Sequence, residues 1–407
     1  MQTVNDRLRI VYVCPETPWP VIGGGRFRIE ALLRALSALA EVRLIVVGER
    51  PDGEARRFIR EAGGAIYPAR RESPAGRLCR ILRAVAHGRS IPAERYLSPR
   101  RVEKLRARFA AEKPDLIVLG DVYLAAAFLE AARPYARAIV VDTHDAASLV
   151  ARRISAASHR LPEKLAYRLL AANTFAMEAR WLRRADQLWT LSEDDAAYYR
   201  GRHRLPNVAV VPIPVALTPA TTPQEEPHAA VFAGSFSYWP NEDAALRLIA
   251  MAKGLRQRGA LGTLYLVGVA PTERMRAAAA GAEGLIITGR VPDVGTFLDR
   301  AALVVVPLAA GSGVKVKILE AMARGRPILT TPVGAEGIAI QPGLHAEVAP
   351  LEGFEDAFVA LMADPARRTA LGAAGRRLVE ERYSPAAVEN RVRALVAKAL
   401  AAHQGRE

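Results

Sequence analysis

The chain contains 407 residues, of which 51% are hydrophobic, which is too long for one ordinary core and typical of two α/β domains. Its formal charge is +15, and residues 1–213 carry most of it, with 36 Lys and Arg against 23 Asp and Glu. Such an excess favours an anionic partner, which a membrane surface, nucleic acid or an acidic glycan would satisfy. The only two cysteines, Cys14 and Cys79, lie far apart in the sequence without metal-ligand spacing, so neither a disulfide framework nor a zinc site is indicated, and a reducing cytoplasm fits best.

The first residues, MQTVNDRLRI, lack the apolar core of a signal peptide. No apolar run approaches the ~20 residues that a membrane-spanning helix needs. We therefore expect a cytoplasmic protein whose membrane contact, where it has one, is peripheral to the inner face.

Short apolar runs alternate with helical stretches along the chain, which predicts parallel sheets covered by helices. In the first half, strands are predicted at residues 10–13, 42–47, 116–119 and 138–141, and helices at 28–40 and 100–111. In the second half, strands are predicted at residues 229–233, 263–267, 284–287, 303–306 and 327–330, and a last helix at 386–402. The predicted organisation is a first domain at 1–213, a linker rich in proline and threonine at 214–228, a second domain at 229–384 and a C-terminal helical segment at 385–407.

Residues 76–113 combine many arginines with regularly spaced apolar residues, and Arg152, Arg153, Arg160, Lys164 and Arg168 form a second basic cluster. At an anionic bilayer such a pattern lodges beside the headgroups. A solvated, arginine-rich face explains the same pattern equally well. The arginines are dispersed among apolar helices without a recognition motif, so nucleic acid is not an expected partner.

The stretch from residue 303 to 338 is the most informative of the chain. A strand is followed by Gly311, Ser312 and Gly313 and then by a helix that carries Lys315, Lys317 and Glu320. Backbone N–H groups at a helix start and two lysines attract phosphate, and a carboxylate accepts paired hydrogen bonds from a ribose diol. The ordinary alternatives are a Glu320–Arg324 ion pair and a solvated lysine face.

Resemblance to a known family chooses between these interpretations. The segment GSGVKVKILEAMARGRPILTTPVGAEGI resembles the donor-site signature of retaining glycosyltransferases of the GT-B fold, family-four type (glycosyltransferases group 1). Further similar segments, in family order, are PETPWPVIGGGRFRIEALLRALSALAEVRLIVV, VDTHDAAS, LRRADQLWTLSEDD, VFAGSFSYWPNEDAA and ITGRVPDVGTFLDRAALVVVPL. The resemblance implies two doubly wound Rossmann-like domains that face a central cleft, with the C-terminal helix crossing back to the first domain.

The resemblance also implies roles for residues at the ends of strands, where open α/β sheets bind ligands. The implied catalytic residues are His144, Lys315, Lys317 and Glu320. The implied donor-binding residues are Gly24, Gly25, Arg26, Gly234, Ser235, Arg290, Val291, Gly311, Ser312, Gly313, Val314 and Glu320. On the acceptor side we expect Asp145, Arg152 and Arg153; a helix cap is the alternative for Asp145, and a purely structural role is the alternative for His144.

Two departures from the family pattern stand out. Ser235 and Asn241 occupy places where many relatives have an arginine and a lysine that hold the diphosphate, and we expect Asn241 to be first of all a helix N-cap. Ser312 stands where the family usually has the first of two glutamates, and Glu320 matches the second. Lys315, Lys317 and the backbone amides of residues 312–314 would then hold the diphosphate.

The implied activity is transfer of a sugar from a nucleoside diphosphate sugar to a hydroxyl acceptor with retention of configuration, in surface polysaccharide or glycoconjugate assembly. No metal or other cofactor is expected. The expected partners are the donor, an acceptor that is lipid-linked or anionic, and an anionic membrane surface. Two alternatives are a nucleotide-sugar epimerase on the same fold and a catalytically silent GT-B module, the latter suggested by Ser312, Ser235 and Asn241.

Overall fold

The computed structural model of the protein describes residues 8–20, 24–68, 73–86, 90–158, 160–218, 225–311 and 313–404. The chain divides into two compact units. The first comprises Met1–Ile213 and Val388–Glu407, and the second comprises Pro214–Ala387. The second unit thus includes the stretch from residue 214 to 228 that the sequence predicts to be a linker.

The first unit contains a parallel sheet in which the strand order is β3-β2-β1-β4-β5-β6-β7. Its strands are β1 (Arg9–Cys14), β2 (Glu41–Val46), β3 (Ala65–Ile66), β4 (Leu116–Leu119), β5 (Ala138–Asp142), β6 (Gln187–Thr190) and β7 (Val208–Val210). Its helices are α1 (Gly24–Ser37), α2 (Gly53–Glu61), α3 (Pro74–Ala86), α4 (Ile91–Glu94), α5 (Pro99–Glu112), α6 (Val122–Ala132), α7 (Ala147–Ala157), α8 (Leu161–Trp181) and α9 (Glu193–Arg202), with short 3-10 turns at Arg133–Tyr135 and Leu182–Arg184. Every residue of β4 and β5 is buried, as expected where helices cover both faces of a parallel sheet.

The second unit contains a parallel sheet in which the strand order is β10-β9-β8-β11-β12-β13. Its strands are β8 (Ala229–Ala233), β9 (Thr263–Val267), β10 (Leu285–Gly289), β11 (Leu303–Val306), β12 (Ile328–Thr330) and β13 (Glu347–Val348). Its helices are α10 (Trp239–Gln257), α11 (Glu273–Ala279), α12 (Gly295–Arg300), α13 (Val316–Ala323), α14 (Pro332–Ala335), α15 (Phe354–Ala363) and α16 (Pro365–Arg382), with a 3-10 turn at Leu351–Gly353.

The last helix, α17 (Pro385–Gln404), contributes its residues from Val388 onward to the first unit. Val388, Val392 and Val396 are buried in the same core as Tyr12 and Trp189. The β-branched side chains recur every four residues, so one face of the helix is apolar and covers the sheet.

Strand β6 illustrates what the sequence pattern did not predict. Gln187 opens the strand and breaks its apolar run, yet its side chain is buried. Its amide donates a hydrogen bond to Leu395 O at 3.0 Å and its carbonyl oxygen accepts one from Trp189 Nε1 at 2.8 Å. A buried amide satisfied in this way costs little, so tertiary contacts permit a polar residue in a core strand.

Helix α5 lies within the basic stretch that predicted a membrane-binding face. Leu105 and Phe109 are fully buried against the sheet, and Leu97 and Val102 pack against the same core. The apolar side of α5 is therefore used inside the fold.

Candidate active site

Loops that leave the strands of the second unit converge at the carboxyl edge of the sheet, because all its strands are parallel. Gly234 directly follows β8, and its N–H donates to Val267 O at 2.9 Å. Gly268 follows the neighbouring strand β9 with φ of +151°, and a Cβ at this position would lie 1.8 Å from Gly234 O. Gly268 is therefore required for the close approach of these two loops, a requirement the sequence analysis missed.

Lys317 is the central cation of this edge. Its Nζ donates a hydrogen bond to Asn241 Oδ1 at 2.6 Å and lies 4.4 Å from the centroid of the Phe232 ring. A Cβ at Gly234 would lie only 2.8 Å from the same Nζ. Strand β8, its glycine and α13 thus place one ammonium group next to the start of the loop that follows β8.

The surroundings of Lys317 favour its neutral form. Burial lowers the pKa of Lys317 to about 7, and the positive charge of Lys315 lowers it further, while the negative charge of Glu320 opposes the shift. A cation with so low a pKa gains much from an anionic ligand, because the ligand supplies the counter-charge that the fold leaves incomplete.

Asn241 does not cap its helix as the sequence predicted. Helix α10 begins at Trp239, with Tyr238 at the N-cap and Pro240 in the first turn, so Asn241 lies inside the helix. Its buried side chain donates to Ser235 O at 2.9 Å and accepts from Lys317. The tertiary contact with Lys317, which the local sequence pattern does not contain, decides the role of Asn241.

Glu320 does not form the ion pair with Arg324 that was its ordinary alternative. Arg324 Nη1 binds Asp299 Oδ2 at 2.7 Å, and Glu320 makes no hydrogen bond or ion pair with the described residues. Desolvation raises the pKa of the Glu320 carboxyl, and the positive charges of Arg324 and Lys317 oppose the rise. The carboxylate is free to accept hydrogen bonds from a ligand.

The glycine loop before α13 has the backbone freedom that the sequence predicted. Gly311 and Gly313 have φ of +143° and +71°, while Ser312 lies outside the described residues. Lys315 is buried at the N-cap of α13, where no side chain caps the helix, and Val314 packs closely against Gly337. The start of α13 therefore offers backbone N–H groups to an anion.

The turn after β10 reaches the same edge of the sheet. Gly268 N donates to Gly289 O at 3.2 Å, which ties this turn to the loop after β9. Arg290 is exposed, and Val291 packs against the core of the unit. Arg290 and Val291 thus lie at the carboxyl edge, next to the loops that surround Gly234.

In the first unit, three adjacent strands bring three ionisable side chains to one edge. Glu16, Asp121 and His144 each lie two residues after the end of a strand, β1, β4 and β5 respectively. Of these three residues, His144 was predicted from the sequence, whereas Glu16 and Asp121 were not. The repeated position, two residues beyond a buried strand, is the signal that could have identified them.

His144 lies in a pocket of about 270 Å³ that Asp121, Tyr123 and Asp145 also line. Its Nε2 is buried and makes no hydrogen bond with a described residue. Burial raises the pKa of the Asp121 carboxyl, and charge on His144 opposes the rise. A Cβ at Gly25 would lie 2.9 Å from Glu16 Oε1 and 3.4 Å from His144 Nδ1, so this glycine is needed for their approach.

Arg26 is held by carboxylates of its own unit. Its guanidinium lies 3.3 Å from Glu16 and 2.5 Å from Glu49, and it donates to the carbonyl oxygens of Trp19 and Pro20 at 3.3 Å. Its charge is thereby largely compensated. The neighbouring Gly24 has open space around its Cβ position.

A buried ion pair at the end of β5 holds the start of the loop that carries His144. Asp142, the last residue of β5, accepts two hydrogen bonds from Arg28, at 2.6 and 3.3 Å, and both side chains are fully buried. Arg28 also donates to Val211 O at 2.5 Å and to Pro212 O at 3.3 Å. The pair connects α1 with the strand end from which His144 projects.

The residues expected on the acceptor side do not lie together in one pocket. Asp145 lines the His144 pocket, and its alternative as a helix cap is wrong, because Ala146 is the N-cap of α7. Arg152 and Arg153 lie on exposed positions of α7, and Arg152 lines a different pocket.

Two negative findings apply to the residues that the structure describes. No group of three or more His, Cys, Asp or Glu side chains is placed to hold a metal ion. None of the helices in the described ranges combines the length and apolar character needed to cross a membrane.

Comparison with known families gives two adjacent matches. Residues 227–364 match the family described as "Glycosyl transferases group 1", and residues 23–216 match the family described as "Glycosyl transferase 4-like domain". Comparison with curated protein sequences gives no match.

Solved structures resemble the chain over almost its whole length. Sucrose-phosphate synthase from Thermosynechococcus elongatus superposes with a TM-score of 0.68 at 18% identity, covering 97% of this chain and 100% of that one. HepE of Anabaena, solved with UDP and glucose, gives 0.63 at 13% identity over 96% and 100%, and the lipopolysaccharide outer core galactosyltransferase WaaB gives 0.61 at 15% over 96% and 99%. These similarities confirm the two-domain α/β GT-B fold that the sequence predicted.

Proposed function

The chain belongs to the group 1 glycosyltransferases, and from this premise we propose that it transfers a sugar from a nucleoside diphosphate sugar to a hydroxyl acceptor with retention of configuration. The arrangement around Lys317 carries the donor half of the proposal. One ammonium group, the start of α13 and loops rich in glycine meet at the carboxyl edge of the second sheet. This is the set of groups that a diphosphate requires.

In the proposed complex, Lys317 and the backbone N–H groups at the start of α13 bind the diphosphate. Glu320 accepts the ribose hydroxyl hydrogens, because its carboxylate has no other partner among the described residues. The turn at Arg290 and Val291 reads the nucleobase through main-chain groups. HepE was solved with UDP-glucose, which makes uridine diphosphate sugars the first donors to test.

The demanding step of the reaction is departure of the nucleoside diphosphate, which develops negative charge on its terminal phosphate. Positive charge and helix dipoles that point at this phosphate stabilise the transition state. We propose that a phosphate oxygen of the leaving diphosphate takes the proton of the acceptor hydroxyl while the new glycosidic bond forms on the same face of the sugar. No metal ion is needed in this scheme, because Lys317 and the helix start supply the charge.

His144 has the proposed role of orienting the transferred sugar. Its buried Nε2 has no hydrogen-bond partner among the described residues, and Gly25 leaves room beside its ring. Asp121 and Asp145 line the same pocket and would bind acceptor hydroxyl groups. The charge excess of residues 1–213 supports an acceptor that is anionic or lipid-linked, in surface polysaccharide or glycoconjugate assembly.

Titration calorimetry tests the donor half directly. The purified protein and Glu320→Ala are titrated with uridine, guanosine, thymidine and adenosine diphosphates. Selective binding that is weakened in the variant supports the assignment and identifies the base. Failure of every diphosphate to bind would overturn the proposal in favour of a silent module.

The stereochemistry and the acceptor need a separate measurement. The donor that binds is incubated with a panel of hydroxyl acceptors, and the anomeric proton of the product is followed by NMR. A product with the configuration of the donor supports retention, and an inverted product refutes it.

A further inference from the structure

Helix α8 exposes a row of large apolar side chains to solvent. Leu161, Leu165 and Leu169 are 67%, 50% and 72% exposed. They recur every four residues, so they fall within an arc of roughly 80° on one side of the helix. The buried residues of α8, among them Thr174 and Met177, lie on the opposite side. We call the three leucines the α8 leucine row.

A basic row runs beside the leucines. Arg160, Lys164 and Arg168 each precede one leucine of the row, and all three are exposed. Helix α7 contains no acidic residue, and the acids of α8 are Glu163, which points away from the leucine row, and the buried Glu178. The face therefore combines exposed apolar side chains with basic side chains. These basic side chains form no ion pair with a described carboxylate of α7 or α8.

A pocket of about 500 Å³ opens next to this face, between α7, α8 and α9. Arg152, Arg168 and Arg202 line it together with residues that include Ala172 and Phe175. None of the three guanidinium groups makes a hydrogen bond or an ion pair with a described residue. We call this the arginine pocket.

Three unpaired guanidinium groups around one concave site match a phosphate group, because they supply positive charge and a guanidinium can donate two parallel hydrogen bonds to phosphate oxygens. Leucine side chains are unfavourable in water, and their transfer into an acyl layer lowers the free energy. An anionic bilayer offers both at once, with phosphates at the depth of the arginines and hydrocarbon just beneath.

We propose that the α8 leucine row and the arginine pocket bind the surface of an anionic phospholipid bilayer. The leucines enter the boundary between headgroups and acyl chains, and the arginine pocket receives a lipid phosphate. This inference develops the anionic membrane surface expected from the sequence, and it does not depend on the transfer reaction.

Helix α3 is the competing surface. Leu78 and Leu82 are 57% and 60% exposed there. Its Arg80, however, donates to Ile91 O at 2.8 Å, and Arg83 also has a partner within the protein. Among the described residues, two of the three cations of α3 are thus engaged by the fold, with Arg77 as the exception, while none of the three in the arginine pocket is engaged, which favours α8.

Vesicle co-sedimentation tests the proposal with the full chain. The wild type is expected to bind vesicles of phosphatidylcholine mixed with phosphatidylglycerol. It is not expected to bind vesicles that contain only phosphatidylcholine. Replacement of Arg152, Arg168 and Arg202 by Gln should weaken binding by about 100-fold, since each of the three cations near the surface contributes about fivefold. Replacement of the three leucines by Ser should weaken it at least about tenfold.

Matched controls separate the face from the overall charge and from misfolding. Arg34, Arg57 and Arg393 are exposed arginines elsewhere in the same unit, and their replacement by Gln removes the same charge. This control should bind vesicles within a few-fold of the wild type. Each variant should keep the wild-type melting temperature and nucleotide affinity, so that failure of membrane binding is distinct from failure of the donor site.

Three outcomes would overturn the proposal. They are equal binding to neutral and anionic vesicles or to neither, an equal loss in the pocket variant and in the control variant, and loss of binding only when Leu78 and Leu82 are replaced by Ser. The last outcome would assign the contact to α3.

Discussion

The low pKa of Lys317 predicts that donor binding depends on pH near neutrality. With a pKa of about 7, Lys317 is mostly charged at pH 6 and mostly neutral at pH 8. If only the charged form binds the diphosphate, the apparent Kd should be about tenfold higher at pH 8 than at pH 6. An anionic ligand stabilises the ammonium form of Lys317, so binding takes up nearly one proton at pH 8.

The assay should use a nucleotide sugar rather than a free diphosphate. A terminal phosphate titrates with a pKa of about 6, whereas the diester phosphates of a nucleotide sugar keep their charge over this range. Calorimetry at pH 6, 7 and 8, in buffers that differ in ionisation enthalpy, reports both the Kd and the proton uptake. UDP-glucose is the first ligand to use.

Variants of the two lysines make the test specific. Lys317→Met should bind weakly and equally at all three pH values. Lys315→Met should bind with the midpoint of the pH dependence shifted upward, because the charge of Lys315 lowers the pKa of Lys317. An unchanged Kd between pH 6 and 8 in the wild type, or a tenfold change that persists in Lys317→Met, would refute the reasoning.

Three further predictions concern other residues. Glu320→Ala should weaken nucleotide binding by about 10- to 100-fold, the value of one or two hydrogen bonds to a charged group, without changing the melting temperature; unchanged affinity in calorimetry would leave Glu320 no role in the donor site. Arg28→Met should leave the buried carboxylate of Asp142 without its cation and lower the free energy of unfolding by about 3–5 kcal/mol in denaturant titrations, and a loss below 1 kcal/mol would contradict the importance of this pair. His144→Ala should lower kcat about tenfold or more while the Kd for the nucleotide stays constant, and a parallel loss of nucleotide affinity would show a structural role instead.

Local patterns in the sequence were sufficient to predict an element where the physical cause of that element lies within one short segment. The strands β4, β8, β9 and β11 have the predicted bounds, because each is an apolar run that ends at a turn residue or a change of composition. The glycine loop before α13 was predicted for the same reason, since positive φ at Gly313 is a property of one residue type.

Contacts between distant segments were beyond these patterns. Strand β6 was missed because the amide of Gln187 is satisfied by Leu395, a residue far along the chain. Asn241 was expected to cap a helix because its neighbours fit a cap, but its partner is Lys317. The sequence pattern of α5 did not show whether its apolar side faces the protein core or a membrane.

The sequence by itself determined the fold class and the family and selected the residues proposed to bind a nucleotide donor, because periodicity and family motifs are local properties. Only the tertiary structure decided which charges are compensated. Arg26 is neutralised by Glu16 and Glu49, whereas Lys317 keeps a charge that burial makes costly, and Glu320 keeps an open carboxylate. Compensation depends on burial and on partners brought together by folding, and neither can be read from the order of residues along the chain.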